Sequence, residues 1–203
     1  MATYYYNGAQ IVTPFSIFSN EPVYHSDTVS LKIQRTSSNQ HRWEISFNTV
    51  LTKDTQVDGL LNSIVGTADS QTMIMPQLPE VMELFDYSGP GNIDIAASAS
   101  VGATLIYIDG STVSGLIPKG MFIKFSSHDK VYIVTEDCDL TSSGTIAMSI
   151  FPSLRENITP AQAVKLDSDC VFKYYKDISN QSGITFKDGV LSDTGKIYLI
   201  EGL

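Results

Sequence analysis

Lys119-Gly-Met-Phe-Ile-Lys-Phe-Ser-Ser-His-Asp-Lys-Val-Tyr-Ile-Val-Thr135, with Gly144-Thr-Ile-Ala-Met-Ser-Ile-Phe-Pro-Ser-Leu-Arg155 close behind, reads as three short strands joined by polar turns. Met121 to Phe125 alternate around Lys124. Val131, Ile133 and Thr135 share one face of the next strand, and Tyr132 and Val134 the other. Ile146, Met148 and Ile150 line one face of a third strand, which Pro152 ends.

Working outward, the segment from Ile93 on predicts five strands: Ile93–Ala97, Ala103–Ile108, Met121–Phe125, Val131–Glu136 and Thr145–Phe151. Turns fall at Asp109-Gly110, Ser127-His128-Asp129 and Thr141-Ser-Ser-Gly144. Five short antiparallel strands with one long connection match the strand count of an OB-fold, a small Greek-key barrel, and also fit a small sandwich.

Before that segment, Val29, Leu31 and Ile33 alternate with polar residues, as do Trp43, Ile45 and Phe47. The two runs predict a hairpin closed by Ser37-Ser-Asn-Gln40. Val57, Leu60, Leu61, Ile64 and Val65 form one helical stripe, capped by Thr52 or Asp54 and ended by Gly66. Gln71–Pro76 reads as a short strand. Pro76, Pro79 and Ser88-Gly-Pro-Gly-Asn92 read as a break. After Asp167, Val171–Tyr175 is a strand, and Ile184–Lys187 with Lys196–Glu201 read as a closing hairpin. Three strands are too few to stand alone, so they are expected to complete the first sheet. The expectation is therefore a mainly β protein with one helix, in which residues 1–87 and 168–203 form a β-sandwich-like domain and residues 88–167 an inserted OB-fold-like barrel.

The chain has 203 residues, 42% hydrophobic and 17% charged, so a folded core is expected rather than disorder. Its net charge of −9 disfavours binding to phosphate backbones, and no basic run suits an anionic membrane. The opening Met-Ala-Thr-Tyr-Tyr-Tyr lacks the pattern of a signal peptide, and no apolar run is long enough for a spanning helix. Cys138 and Cys170 form no Cys-x-x-Cys pair. A disulfide between them is open, and two buried free thiols in a reducing cytosol are the favoured reading.

Chemistry is hard to find in this chain. It contains no Gly-x-Ser-x-Gly and no phosphate-binding glycine loop. His25, His41 and His128 lack metal-ligand spacing, and His128 is expected to be exposed in its turn. Glu136-Asp-Cys-Asp139 does not fit a calcium loop and reads as a solvated strand end. No carboxylate pair stands out as a glycosidase pair would. The expectation is a non-enzyme with no catalytic residue, metal or cofactor. Among the tyrosines, which are ordinary strand residues, Tyr107 and Tyr132 are best placed to stack on a saccharide.

The motif Gly120, Phe122, Lys130, Val131, Tyr132, Pro152, Leu154 and Arg155 resembles a pattern that recurs in distal tail proteins of long-tailed (siphovirus-type) bacteriophages. The similarity spans most of the chain. It is strongest from Gly115 to Asn157, moderate over Arg42 to Pro79, and weak over the first 27 residues. Met121 departs from it, since the family more often has Asp after the glycine. The resemblance implies a structural virion protein at the tail tip, made in the host bacterial cytoplasm. Six copies would form a ring joining the tail tube protein to a baseplate hub or straight-fibre protein and letting DNA pass. Barrels of this kind are suspected of binding host-surface saccharide, so a carbohydrate-binding module for host attachment is the alternative. The family has no catalytic residue in the motif.

Overall fold

A computed structural model of the chain describes residues 5–6, 9–27, 33–37, 40–49, 69–89, 91–140, 144–177, 179, 185–187, 190–193 and 195–203. The protein is mainly β, and one of its sheets curls into a nearly closed barrel. The expected Val57–Val65 helix lies outside the described residues.

The chain divides into two compact units. One comprises Thr72–Lys173 with Gly202–Leu203. The other takes the described residues up to Gln71 and those from Tyr174 to Glu201. Both limits fall inside strands, β6 (Gln71–Ile74) and β16 (Val171–Lys176), rather than at the turn-rich junctions 88 and 167 read from the sequence.

The 72–173 unit is built on a six-stranded sheet. Its order is β15 (Val164–Lys165), β11 (Phe122–Phe125), β12 (Val131–Val134), β14 (Thr145–Phe151), β9 (Leu105–Asp109) and β8 (Asp94–Ile95). Strands β11, β12 and β14 form a meander, and β9 returns beside β14, which is a Greek-key order. Five strands fall on the runs expected from the sequence. The sixth, β15, is two residues long and has no alternation to betray it. It closes the sheet: Val164 N–H donates to Ile93 O at 2.8 Å, Ile95 N–H to Gln162 O at 2.9 Å, and Ala161 N–H to Ile95 O at 3.0 Å.

The interior is the apolar half of each alternating strand. Ile106 and Ile108 of β9, Ile146, Met148 and Ile150 of β14, Ile123 and Phe125 of β11, and Tyr132 and Val134 of β12 belong to one buried cluster. Burying each such side chain contributes about 1.5–3 kcal/mol relative to exposure. Val131, on the opposite face of β12, is also buried, so this strand is covered on both sides.

The segment read as a break is part of this unit. Helix α1 (Pro79–Leu84) begins on a proline, whose missing N–H costs nothing at a helix start. Its Val81 enters the barrel cluster, with Met82 and Phe85 packed against it. Just before it, the side chain of Gln77 is fully buried and pairs with Phe122 like a short strand. Its Nε2 donates to Phe122 O and its Oε1 accepts Phe122 N–H, both at 2.9 Å. Beyond α1, β7 (Asp86–Ser88) joins β10 (Ser114–Ile117) and β13 (Cys138–Asp139) in a small second sheet. β10 reaches β7 through Gly115, whose φ is +127° and where a Cβ would lie 2.1 Å from Asp86 O. Only glycine fits there.

The other unit is built on β1 (Tyr5–Tyr6), β2 (Ala9–Asn20), β5 (Arg42–Thr49) and β19 (Ile197–Glu201), in that order. Two expected pairings are corrected. β5 pairs with β2 and β19, while β4 (Ile33–Ser37) pairs with β3 (Val23–Asp27), so the 28–36/42–47 hairpin does not form among the described residues. β19 enters the sheet, and the hairpin forms instead between β17 (Thr185–Lys187) and β18 (Val190–Asp193). The physical reason is that a strand with Trp43, Ile45, Ser46 and Phe47 all buried needs neighbours on both edges, and local turns supply only one. The β2–β5 register shifts between Val12 and Ser16, across Pro14, which has no N–H to offer a ladder.

Gln77→Leu is expected to destabilise the protein by about 2–4 kcal/mol, because two buried backbone groups of Phe122 lose their partners. Gly115→Ala is expected to cost about 1–3 kcal/mol through its strained φ alone, with displacement of β7 added. Urea unfolding of the full chain measures both; a midpoint within error of wild type for either would contradict the assigned contact.

Candidate functional site

The motif residues come together, but as framework. Phe122, Lys130, Val131, Tyr132, Pro152 and Leu154 are buried, and Gly120 sits at φ +87° in the turn that enters β11. Gly120 N–H donates to Val134 O at 2.7 Å. Of the eight motif residues named in the sequence, Arg155 alone is exposed as a side chain among those whose side chains project far, and its backbone N–H donates to Tyr132 Oη at 3.2 Å.

His128 corrects an expectation. Its turn is where the sequence puts it, but the ring is buried. Nδ1 lies 3.1 Å from Tyr132 Oη and Nε2 lies 3.4 Å from Asn157 O. Phe125 stands edge-on to the imidazole at a centroid distance of 5.6 Å. The turn folds inward because the hydroxyl of Tyr132 and the 155–157 backbone offer partners that no local sequence pattern reveals. Beside this turn, Asp129 bridges Lys124, at 3.4 Å, and Lys173. The Lys173 hydrogen bond holds the Asp129 carboxyl below its ordinary range against the opposing effect of burial, with help from the charges of Lys124 and Lys173.

Tyr132 is therefore corrected as a saccharide residue: it is fully buried, and a ring without an open face cannot stack on a sugar. Tyr107 is 43% exposed, on the outward side of β9. The two rings lie on opposite sides of the barrel wall, so they make no common platform. The acidic run ends the β12 strand much as expected. Glu136 and Asp137 are exposed; Glu136 accepts Ser149 Oγ at 2.9 Å and Asp137 accepts Lys119 N–H at 2.8 Å.

In the other unit, His41 is buried against Trp43 and lies 2.9 Å from Ser19 Oγ. His25 is on β3. Trp43 N–H donates to the buried Glu201 carboxylate at 2.9 Å. The outward face of this sheet carries one cross-strand row of Phe18, Glu44, Ile200 and Tyr175. A shallow depression of about 280 Å³ lies there, lined by Phe18, Glu44, Tyr198, Ile200 and Asp177. Glu44 is held by Arg42 at 2.9 Å and by Asn20 at 2.7 Å.

Among the described residues, no three His, Cys, Asp or Glu groups are placed to hold a metal ion, and no helix is long and apolar enough to cross a membrane. Cys138 and Cys170 are buried free thiols. Burial, and then the charge of Asp139, push the Cys138 thiol up to about 11. What the arrangement offers chemically is non-covalent contact: exposed sheet faces with mixed apolar and acidic side chains. No family model matches the chain, and no curated protein matches it.

Tyr132→Phe removes the hydroxyl shared by His128 and Arg155 N–H and is expected to lower the unfolding free energy by about 1–2 kcal/mol, read by denaturant melts. Ellman's reagent at pH 8 is expected to find almost no reactive thiol in the native protein and two after unfolding. Rapid native reaction of either cysteine would contradict their burial.

Proposed function

We propose that this chain is a structural component of the tail tip of a long-tailed bacteriophage. Six copies form a ring that joins the tail tube to a baseplate hub or straight-fibre protein, with DNA passing through it. The observation that carries this reading is the order of parts. The chain begins in one β unit, leaves it for a barrel bearing the Gly115–Asn157 motif, and returns to finish the first sheet. Distal tail proteins, which the motif resembles, have that order.

Two physical features support it. The charge of −9 per copy makes an assembled ring strongly acidic, so a passing DNA duplex is repelled from the lumen rather than held. Among the described residues the first sheet ends at β1 and β6, and strand edges present hydrogen-bonding groups that a neighbouring copy can pair. A closed ring needs two different patches per copy, repeated by rotation. In this reading, the unit that runs up to Gln71 and resumes at Tyr174–Glu201 makes those contacts, and the protein works without catalysis, metal or cofactor.

A density map of the tail tip tests the proposal. The expected result is a six-fold ring held by the unit up to Gln71 and from Tyr174 to Glu201, with few contacts between barrels. Symmetry other than six-fold or a multiple of three, or a ring held together by the barrels, would overturn it.

A further inference from the structure

Strands β8, β9 and β14 turn outward a face whose register is fixed. Asp94, Asp109 and Thr145 make one cross-strand row. Tyr107 lies opposite Ala147 in the next, and its carbonyl accepts the N–H of Ala96 on the other side. Leu105 and Ser149 follow. Leu105 is 46% and Tyr107 43% exposed, while their neighbours Ile106 and Ile108 are fully buried. An alanine on either side leaves the tyrosine ring standing clear of the sheet.

The charges that β8, β9 and β14 themselves carry are all of one sign. Asp94 and Asp109 are direct cross-strand partners, an arrangement that weakens a sheet when both are ionised. The backbone N–H of Ser111, 2.9 Å from Asp109, and then the Ser111 side chain hold that carboxyl below its ordinary range. Glu136 reaches Ser149 at the far end. Strands β8, β9, β13 and β14 contain no lysine or arginine; the neighbouring β15, which follows Ala163 opposite Asp94, carries Lys165, which faces Lys124 on β11. Two cross-strand aspartates beside an exposed leucine and tyrosine are complementary to a partner that carries a cation next to an apolar side chain.

We propose that this face is a docking surface for a basic protein segment, which lays an apolar side chain against Leu105 and Tyr107 and sets a lysine or arginine beside Asp94 and Asp109. A guanidinium there also meets the face of the tyrosine ring, an attraction that a neutral partner lacks. The inference does not depend on the ring proposal, because it concerns the barrel's outer wall.

The test is an amide-shift titration of the isotope-labelled full chain with an acetylated, amidated lysine–leucine–arginine–leucine–lysine peptide. Saturable shifts centred on Ala96, Tyr107, Asp109 and Ala147 are expected. Tyr107→Ala and Asp94→Asn should each weaken binding by about five-fold or more, and raising the salt from about 50 to 300 mM should weaken it further as the charges are screened. Asp94→Asn should also raise the melting temperature of the free protein, since it removes a like-charge pair; a fall would mean that Asp94 serves the fold and would count against the proposal. No saturable shift up to millimolar peptide, or equal binding of the same peptide with glutamate in place of its cations, would overturn it. So would saturable binding of maltohexaose that Tyr107→Ala abolishes and Asp94→Asn leaves unchanged, since that would make the face a saccharide surface.

Discussion

Three backbone hydrogen bonds between residues 93–95 and 161–164 turn the barrel sheet from an open strip into a nearly closed wall. Until they form, β8 and β15 each present an unpaired edge. Once they form, every strand of the sheet has a neighbour on both sides, and Ile93, Ile95 and Val164 seal one flank of the core. The closing strand is too short to have stability of its own. It is held because Ser126 N–H bonds Ala163 O and because β15 pairs with Lys124 and Phe125. Where β15 runs out along β11, the side chain of Gln77 takes over the same edge. Closure thus draws in the 72–88 segment, which explains why the compact unit begins before the barrel's first strand.

The polar residues inside this unit serve that framework. Tyr132 spends its ring on the core and its hydroxyl on the backbone at Arg155 and the His128 imidazole. Such a cluster fixes the 127–129 turn against the 155–157 segment, and satisfied buried polar groups specify one arrangement over near alternatives. It is enclosed, so substrate has no path to it. The residues that face solvent with something to offer are on the outer wall: Leu105 and Tyr107 among carboxylates. In the other unit, the row Phe18–Glu44–Ile200–Tyr175 is a second mixed surface, but its carboxylate is already matched by Arg42 and Asn20. The barrel's acidic rim is met along β8, β9 and β14 by hydrogen bonds from serines but by no cation of those strands.

Side-chain alternation in single strands was legible from the chain alone. Ile106/Ile108, Ile146/Met148/Ile150 and Trp43/Ile45/Phe47 are buried as their period of two requires, because the pleat puts alternate side chains on opposite faces wherever a strand lies. The mainly β class and the runs that hold five of the barrel's six strands follow from the same rule. What tertiary structure decided was partnership. Whether β5 pairs with β4 or with β2 and β19, whether two residues at 164–165 close a sheet, and whether Pro-Gln-Leu-Pro is a linker or a wedge depend on groups dozens of residues away. His128 and Tyr132 are buried against expectation for that reason: a turn or strand position says which way a side chain starts out, but only the surrounding wall decides whether water or protein meets it. Hydrogen-bond closure and burial are sums over distant neighbours, and no local pattern in a chain contains them.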